Sequence, residues 1–353
     1  MADCSQFLIE AVAKASAEKA PLYITAGGTK HDIRGRACTA QMLDISGHTG
    51  IIDYQPSELV LTARAGTTLA DIEAALDKEG QILAFEPPRL GEAATIGGTL
   101  ACNLSGPARP WRGSVRDMVL GVQLINGRAE LLNFGGRVMK NVAGYDISRV
   151  QAGAMGTLGV LSQISLKVLP KPEASITLAF ELSIDKALAV MIQRTSEPKP
   201  LSGAMGNAGR LYLRLSGAAK AVEHTATVWG GEKIPSKVAP WLDLRELRLP
   251  FFEGHAPLWR FSQNAAAPLH NDLGEMLLDW GGAQRWLRGD LGMAALQQAA
   301  ALAGGHVCQF RGGDRSAEVS PSLSTVEQRL HRRLKQSFDP EGILNPGRLY
   351  SWL

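Results

Sequence analysis

The chain has 353 residues, enough for two domains that each bury a core of their own. Its 37 basic and 34 acidic residues give a net charge of +3, too small an excess to indicate nucleic-acid binding. The four cysteines lie far apart and form no C-x-x-C pair, which argues against a zinc site, an iron–sulphur cluster or a disulfide framework and favours a reducing compartment.

The sequence contains no signal for export or membrane insertion. Its N-terminus carries Asp3 and Glu10 instead of a basic and then apolar segment. No stretch approaches the roughly 20 apolar residues that span a bilayer. We therefore expect a cytoplasmic protein, peripheral at the inner face of the membrane only if partner proteins hold it there.

The first half of the chain alternates helices with short apolar strands. Asp3 and Gln6 have the spacing of a capping box, which predicts a helix from there to about residue 18. The apolar run Leu22–Thr25 predicts a strand that leads into a glycine turn. Further on, Asn126 and Gly127 separate two apolar runs, which predicts a two-residue type I′ hairpin. Other elements are predicted as strands over 50–54, 59–63 and 160–169, and as a helix over 69–79 capped by Thr68.

Two prolines, Pro170 and Pro172, end the strand over 160–169, and we place a domain boundary there. Beyond it, strands alternate with helices in a pattern typical of an α+β sandwich. A final helix over 326–338 spaces its apolar residues four apart, which predicts an apolar stripe opposite a basic face. That stripe consists of Val326, Leu330, Leu334 and Phe338.

Glycines and small hydroxyl residues crowd the stretch 95–159, and a second glycine turn lies at 25–30. Glycine costs backbone entropy, so such density indicates a main chain that must approach something closely. Successive backbone N–H groups commonly bind phosphates, and two turns indicate a dinucleotide. The sequence contains neither a strand–G-x-G-x-x-G–helix unit nor a Gly-Lys pair, which excludes a Rossmann fingerprint and a Walker A loop.

Several motifs carry a family resemblance, in order and in spacing. They are Ala26-Gly-Gly-Thr29, Ile96-Gly-Gly98, Asn103, Arg112-Gly113, Lys140, Gly144-Tyr-Asp146 and Gly156-Thr-Leu-Gly159. The chain thereby resembles the PCMH-type FAD-binding domain of the vanillyl-alcohol oxidase superfamily. Asp279-Trp-Gly-Gly-Ala-Gln-Arg-Trp286 and Phe338-Asp-Pro-Glu-Gly-Ile-Leu-Asn-Pro-Gly-Arg348 narrow the resemblance to the small FAD-binding subunits of bacterial glycolate oxidases.

The resemblance implies the fold and the domain limits. We expect an α+β protein with a two-subdomain PCMH-type FAD-binding domain over 1–172 and an α/β-sandwich, ferredoxin-like cap over 173–322. A C-terminal helix and tail over 323–353 would pack back on the FAD domain. FAD would bind between the FAD domain and the cap.

The resemblance also implies which residues hold the cofactor. The turn at 26–30 resembles the pyrophosphate loop, and the segment 95–106 would add pyrophosphate and isoalloxazine contacts. Many relatives bond the flavin covalently through a histidine at the position of Thr29, so this chain should bind FAD non-covalently. The implied FAD contacts are Ala26, Gly27, Gly28, Thr29, Lys30, Pro88, Thr95, Ile96, Gly97, Gly98, Ala101, Asn103, Ser105, Gly106, Arg112, Gly113, Lys140, Gly144, Tyr145, Asp146, Gly156, Thr157, Gly159, Val160 and Asn345.

Each of these motifs also has a structural alternative. A glycine turn can be an ordinary β-turn, and the 95–106 loop can pack on its own sheet. Arg112 either binds a phosphate group or faces solvent. Lys140 and Tyr145 either lie at the mouth of the flavin site or are an ordinary surface lysine and a half-buried tyrosine. Cys102 is better explained as a small core residue than as a redox thiol.

The sequence contains fewer indications of a substrate-binding site than of a cofactor-binding site. A 2-hydroxy-acid oxidase needs a cation for the carboxylate, a base for the hydroxyl proton and a flavin to accept the hydride. Arg260 resembles the carboxylate-binding arginine of the family, or it is a structural arginine. The seven histidines are scattered and do not match the family's histidine-rich signature, so neither a base nor a metal site is recognisable.

The resemblance implies a subunit that works in a complex. Its partners would be a larger flavin-containing catalytic subunit and an iron–sulphur subunit, and the substrate would be glycolate. Two alternatives remain: a self-sufficient dehydrogenase of D-lactate or a related hydroxy acid, and a scaffold that has lost its flavin. The basic face of the final helix either contacts anionic lipid or is a solvated face.

Overall fold

The computed structural model describes residues 2–136 and 146–353. In these residues the helices are α1 (Ser5–Glu18), α2 (Leu69–Lys78), α3 (Ile96–Cys102), α4 (Arg109–Arg112), α5 (Val115–Met118), α6 (Ile147–Val150), α7 (Ile184–Thr195), α8 (Ala219–Trp229), α9 (Trp241–Arg245), α10 (Met293–Leu302) and α11 (Thr325–Phe338). None of these helices is both long and apolar enough to cross a membrane.

The strands of the described residues divide into an early and a late group. The early strands are β1 (Leu22–Thr25), β2 (Gln41–Asp44), β3 (Ile51–Gln55), β4 (Val60–Arg64), β5 (Gln81–Ile82), β6 (Val119–Ile125), β7 (Leu131–Gly135), β8 (Val160–Lys167) and β9 (Leu169–Pro170). The late strands are β10 (Ala174–Glu181), β11 (Leu201–Asn207), β12 (Arg210–Gly217), β13 (Glu232–Ile234), β14 (Leu258–Ser262), β15 (Met276–Asp279), β16 (Gln284–Arg288) and β17 (His306–Arg311).

The chain forms two units. The first comprises Met1–Leu104, Ser114–Pro170 and Asp314–Leu353, and the second comprises Ser105–Gly113 and Lys171–Gly313. The first unit therefore includes the C-terminal tail from residue 314 onwards, nine residues earlier than the limit expected from the sequence. The short segment Ser105–Gly113 belongs to the second unit, which no pattern in the sequence indicated.

The first unit is built on an antiparallel five-stranded sheet in the order β3-β4-β8-β6-β7. A parallel pair, β1 and β2, and an antiparallel pair, β5 and β9, stand apart from this sheet. The core contains side chains from the sheet and from one face each of α1, α2 and α3. Burial of these apolar residues is the main stabilising term of the unit.

The second unit is an antiparallel eight-stranded sheet in the order β13-β10-β12-β11-β15-β16-β14-β17. The helices α7 and α8 pack on one group of strands, and α10 packs on another. Mixed helices and antiparallel sheets in both units confirm the α+β class predicted from the sequence.

Two local predictions are wrong. At the N-terminus, Cys4 occupies the cap position of α1 without a side-chain cap bond, and its N–H donates to His48 Nδ1 at 3.0 Å. Asp3 instead accepts from the Ser5 N–H at 2.9 Å. The capping box between Asp3 and Gln6 therefore does not form.

The second wrong prediction is the two-residue hairpin between β6 and β7. The side chain of Asn126 accepts from the N–H groups of Arg128 and Glu130, which holds a wider five-residue loop. A side chain at Gly127 would meet Asp339 within 2.4 Å, and the Gly127 N–H donates to the Phe338 carbonyl. The glycine is needed because the C-terminal tail approaches it.

The segment 95–106 contains a helix and is not a loop throughout. Thr95 caps α3 by accepting from the Gly98 N–H at 3.2 Å, and Ile96 and Leu100 enter the core. A side chain at Gly97 would meet the Ala65 carbonyl oxygen at 2.7 Å, so this glycine allows α3 to pack against the end of β4. Propensity alone disfavours a helix with two glycines, and burial overrides it here.

Candidate functional site

A cleft of about 740 Å³, open to solvent, lies in the first unit. The glycine turn at 25–30 and the helix α3 with its cap line it, together with a third segment, the turn between α6 and β8, and the C-terminal tail. Its lining residues are Tyr23, Ile24, Thr25, Ala26, Gly27, Gly28, Thr29, Lys30, His31, Ile45, Thr95, Gly97, Gly98, Ala101, Cys102, Met155, Gly156, Gly159, Leu161, Asn345 and Arg348. The structure thus brings together twelve of the predicted cofactor residues at one concave site.

The turn after β1 depends on its two glycines for different reasons. A Cβ at Gly27 would lie 1.6 Å from the Ala93 carbonyl oxygen, so no side chain fits there. Gly28 has a φ of +68°, a left-handed conformation that favours glycine. A Cβ at Gly28 would meet no atom within 4 Å, so no protein atom separates this position from a ligand in the cleft.

The charges along the cleft are positive. Lys30 is 7% exposed, and its Nζ donates to Thr29 Oγ1 at 3.2 Å and to the Arg89 carbonyl at 3.1 Å. Arg348 adds a second buried cation. Among the described residues that line the cleft there is no Asp or Glu. A buried positive region without acidic groups favours an anionic ligand.

A third wall is the turn between α6 and β8. Gly156, with a φ of +73°, and Gly159 line the cleft. Thr157 does not, because its hydroxyl donates to the Ala154 carbonyl at 2.7 Å and its side chain is buried. Val160 and Ile96 also point into the hydrophobic core instead of the cleft.

The C-terminal tail holds two of these walls together through Asn345. The Asn345 side chain accepts from the Ile24 N–H at 2.6 Å and donates to the Met155 carbonyl at 2.5 Å. Its own N–H donates to the Leu22 carbonyl. Asn345 therefore ties β1 to the third turn, in addition to lining the cleft.

Arg348 is a site residue that the sequence analysis missed. Its guanidinium donates to the carbonyl of His31 at 2.5 Å and to that of Arg36, and it lies over the Tyr23 ring, 5.7 Å from the centroid. One feature of the sequence could have indicated it: Arg348 ends the same tail motif that contains Asn345. The other lining residues absent from the prediction are Tyr23, Ile24, Thr25, His31, Ile45, Cys102, Met155 and Leu161.

Four predicted residues belong to the second unit and do not line the cleft: Ser105, Gly106, Arg112 and Gly113. The Gly106 carbonyl accepts from Trp280 Nε1 at 3.0 Å. Arg112 donates to the Ser216 carbonyl at 3.0 Å, an interaction that neither alternative for this arginine had foreseen.

Asn103 ends α3 in the left-handed conformation, and its buried Oδ1 has no hydrogen-bond partner.

The remaining predicted residues are placed as follows. Pro88 is buried outside the cleft lining, and Asp146 caps α6 by accepting from the Arg149 N–H at 3.1 Å. Arg260 lies on β14 in the second unit with its guanidinium 5.0 Å from the centroid of Phe310. Lys140, Gly144 and Tyr145 lie outside the described residues.

Two further observations bear on the chemistry. Within 2–136 and 146–353, no group of three or more His, Cys, Asp or Glu side chains is arranged to hold a metal ion. Burial raises the pKa of the Cys102 thiol, and the nearby Lys30 acts against that shift. A raised pKa keeps this thiol protonated at neutral pH, which fits a wall residue better than a nucleophile.

Comparison with known proteins places the chain in a family. Residues 2–135 match the FAD binding domain family, and residues 312–349 match the C-terminal domain of FAD linked oxidases. The glycolate oxidase subunit GlcE of Escherichia coli K12 is 46% identical over 351 residues, which cover 99% of both chains. The chain belongs to the FAD-linked oxidase family that includes this subunit.

More distant members of the family match only part of their own length. GlcD, a glycolate oxidase subunit of Bacillus subtilis, is 32% identical over 39% of this chain and 29% of its own. A D-lactate dehydrogenase of Anaerostipes hadrus is 30% identical over 44% of this chain and 33% of its own. The solved structure of an alkyldihydroxyacetonephosphate synthase covers 97% of this chain and 75% of its own, with a TM-score of 0.67 and 15% identity, and therefore supports the fold alone.

The cofactor of this FAD-linked oxidase is FAD, and the cleft fits it. The position at Gly28 is open to the cleft, and Lys30 and Arg348 give the cleft lining the positive charge that a pyrophosphate would need. Thr29 has no nitrogen that could bond a flavin, in keeping with the predicted non-covalent binding. FAD in this cleft would supply hydride acceptance, and the chain's own residues would bind and orient it.

Proposed function

We propose that this chain is the FAD-binding subunit of a multi-subunit glycolate oxidase. In that complex glycolate becomes glyoxylate, and the electrons pass to an iron–sulphur subunit. The observation that carries the proposal is the single cleft walled by the glycine turn at 25–30 and by α3, in a chain similar to GlcE over 99% of its length. Its location would be cytoplasmic, at the membrane only through its partners.

The proposed division of labour follows from what glycolate oxidation requires. The substrate loses a hydride from carbon and a proton from its hydroxyl, so a base and a carboxylate-binding cation must stand at the flavin. The described residues that line the cleft include no acidic side chain, and their one histidine, His31, is exposed and has its Nδ1 2.8 Å from the Gly28 carbonyl. We therefore assign substrate oxidation to the larger flavin subunit, with this chain relaying electrons or supporting assembly.

A visible spectrum with a glycolate titration tests this assignment. The purified chain should show the visible absorption bands of oxidised flavin, and these bands should persist when glycolate is added. The same titration of the whole complex should bleach the flavin. Rapid bleaching of the isolated chain by glycolate would assign the oxidation to this chain instead.

The second candidate is a self-sufficient dehydrogenase of D-lactate or a related 2-hydroxy acid. The partial similarity to a D-lactate dehydrogenase favours it. In that case Arg260→Ala would abolish turnover by the isolated chain while FAD remained bound. A third alternative is a scaffold that has lost its flavin. A folded chain that is colourless and does not bind added FAD would indicate it. The retained glycines of the cleft argue against this alternative.

A further inference from the structure

Arg36 and Arg348 bind each other's main chain, although they lie 312 positions apart in the sequence. The Arg36 N–H donates to the Arg348 carbonyl at 2.9 Å, and the Arg348 guanidinium donates to the Arg36 carbonyl. Arg36 also donates from Nη1 to the Gly347 carbonyl at 2.8 Å and from Nε to the Ala317 carbonyl at 3.0 Å. Two guanidinium groups therefore fasten the loop after the 25–30 turn to the C-terminal tail.

The guanidinium of Arg348 is confined to one position at the cleft. A Cβ at Gly35 would lie 2.4 Å from Arg348 Nε and 2.5 Å from its Cζ, so the guanidinium occupies space that only a glycine leaves open. The same guanidinium donates to the His31 carbonyl at 2.5 Å. Arg36 and Gly35 thus determine where this cation stands in the cleft lining.

Arg348 is a buried cation that pairs with no carboxylate of the described residues. It is 7% exposed, and its guanidinium donates to two main-chain carbonyls and lies over the Tyr23 ring. A buried charge is costly unless an opposite charge meets it. An anion that enters the cleft would supply that charge.

Two further cations act on the same region of the cleft. Burial raises the pKa of the Cys102 thiol, whereas Lys30, Arg348 and Arg34 all act to lower it. Cys102 itself lines the cleft, so the three positive charges lie near one part of its wall. The anionic part of FAD is its diphosphate, and guanidinium groups bind phosphate oxygens through charge-assisted hydrogen bonds.

We propose that Arg348 binds the diphosphate of FAD and that Arg36 is the positioning residue that holds Arg348 in place. The Arg36 side chain fixes the Gly347 carbonyl, directly before Arg348, and the Arg36 carbonyl accepts from the guanidinium itself. This inference rests on the binding of FAD in the cleft. It does not depend on glycolate oxidation and therefore goes beyond the proposed function.

Ligands with and without phosphate separate a diphosphate contact from a general loss of structure. The probes are FAD, ADP and riboflavin, each titrated by calorimetry into the whole chain after its FAD has been removed. Arg348→Met should raise the Kd for FAD and for ADP by about tenfold or more, because it removes a hydrogen bond to a charged group. The Kd for riboflavin should stay unchanged. An equal rise for FAD and riboflavin would overturn the inference.

Arg36→Met tests the positioning role. It should weaken FAD and ADP but not riboflavin, and the double variant should bind FAD no more weakly than Arg348→Met alone, because Arg36 acts through Arg348. Additive losses would show that Arg36 acts independently, contrary to the proposal. The matched control is Arg128→Met, because Arg128 also donates to a main-chain carbonyl, that of Ser337, but lies outside the cleft lining. It should leave all three Kd values unchanged.

A glycine variant keeps both cations and guards against a folding defect. Gly35→Ala would displace the Arg348 guanidinium with its methyl group, so FAD and ADP should bind more weakly and riboflavin as before. Gly47→Ala is the control, because a Cβ at this exposed glycine would meet no atom closer than Cys4 Sγ at 3.9 Å. Binding of FAD by Gly35→Ala with the wild-type Kd would contradict the proposal.

This inference and the proposed function fail in different ways. If the assembled complex does not oxidise glycolate, the proposed function is wrong, and the three Kd values still decide the role of Arg348. If the complex oxidises glycolate and Arg348→Met binds FAD with the wild-type Kd, the diphosphate inference alone is wrong.

Discussion

Lys335 Nζ lies 2.7 Å from Asp339 Oδ2, and both side chains are buried in the first unit. The ammonium also donates to the carbonyls of Thr157 and Leu344, and the carboxylate accepts from the N–H groups of Ile343 and Leu344. Burial lowers the pKa of Lys335, and Asp339 acts against that shift. The pair joins α11, the tail and a wall of the cofactor cleft.

Breaking this pair should be costly. We expect Lys335→Met to destabilise the protein by about 3–5 kcal/mol, because Asp339 would remain as a buried, unpaired charge. Urea unfolding with FAD bound measures the change. The control is Lys19→Met, which breaks an exposed ion pair with Glu341 at 3.0 Å and should cost less than about 1 kcal/mol. Equal losses for the two variants would mean that the buried pair has no special role.

Asn345 should control FAD affinity because it fixes two walls of the cleft. Asn345→Asp keeps an acceptor for the Ile24 N–H but turns a carboxylate oxygen towards the Met155 carbonyl, which it cannot donate to. One unsatisfied buried group costs about 1–3 kcal/mol, so we expect the Kd for FAD to rise by about tenfold or more. Fluorescence titration of the apoprotein with FAD measures it. An unchanged Kd would show that the tie between the walls is dispensable for binding.

The glycine turn at 25–30, which lines the cleft, could be predicted because its signal is local. Gly28 adopts the left-handed conformation that its residue type permits, and the open space beside it follows from that turn. The helix α3 could not be predicted in the same way. Its two glycines and small residues argue against a helix unless the core contacts of Ile96 and Leu100 are known.

Contacts with the tail were equally invisible in the sequence. Gly127 read as a hairpin turn, whereas its lack of a side chain makes room for Asp339, more than 200 positions away in the chain. The prediction that all four apolar residues of α11 form one buried stripe is wrong for a geometric reason. A spacing of four residues advances about 40° per step beyond a full turn, so Val326 and Leu330 rotate away from the buried side that Phe338 occupies.

The buried His48 should make stability depend on pH. Its Nδ1 accepts from the Cys4 N–H, so Nε2 carries the proton and donates to Ser162 Oγ at 3.0 Å. Burial lowers the pKa of His48, and Asp3 acts against that shift. Because the folded pKa lies below the unfolded value of about 6.5, the unfolded state binds more protons in acid. This contribution is full above about pH 6.5 and is lost as the pH falls through the folded pKa.

Urea unfolding at pH 7.5, 6.5 and 5.5 measures this dependence. His48→Gln should be less stable at neutral pH, yet it should lose less stability than the wild type between pH 7.5 and 5.5. His224→Gln, at an exposed position of α8, should retain the full dependence. His270 and His331 also have lowered pKa values through burial, so His48→Gln should reduce the slope without abolishing it. An unaltered slope would contradict the assignment.

The flavin should leave the protein intact on denaturation. Thr29 lines the cleft, and its hydroxyl accepts from Lys30 Nζ. After acid precipitation and centrifugation, we expect all the yellow colour in the supernatant as FAD. Flavin fluorescence that stays with the precipitate under ultraviolet light would show a covalent bond and contradict the non-covalent fit.

Gly28 and Gly80 offer a matched pair that separates backbone strain from ligand contact. Their φ values are +68° and +63°, and a Cβ at either would meet no atom within 4 Å, but only Gly28 lines the cleft. Replacement by Ala should therefore cost each about 1–2 kcal/mol of stability, since both must keep a left-handed conformation. Only Gly28→Ala should also raise the Kd for FAD, because its methyl group stands where the cofactor approaches the main chain. Thermal unfolding and FAD titration of both variants decide this. Equal FAD affinities would mean that the ligand does not approach the chain at this turn.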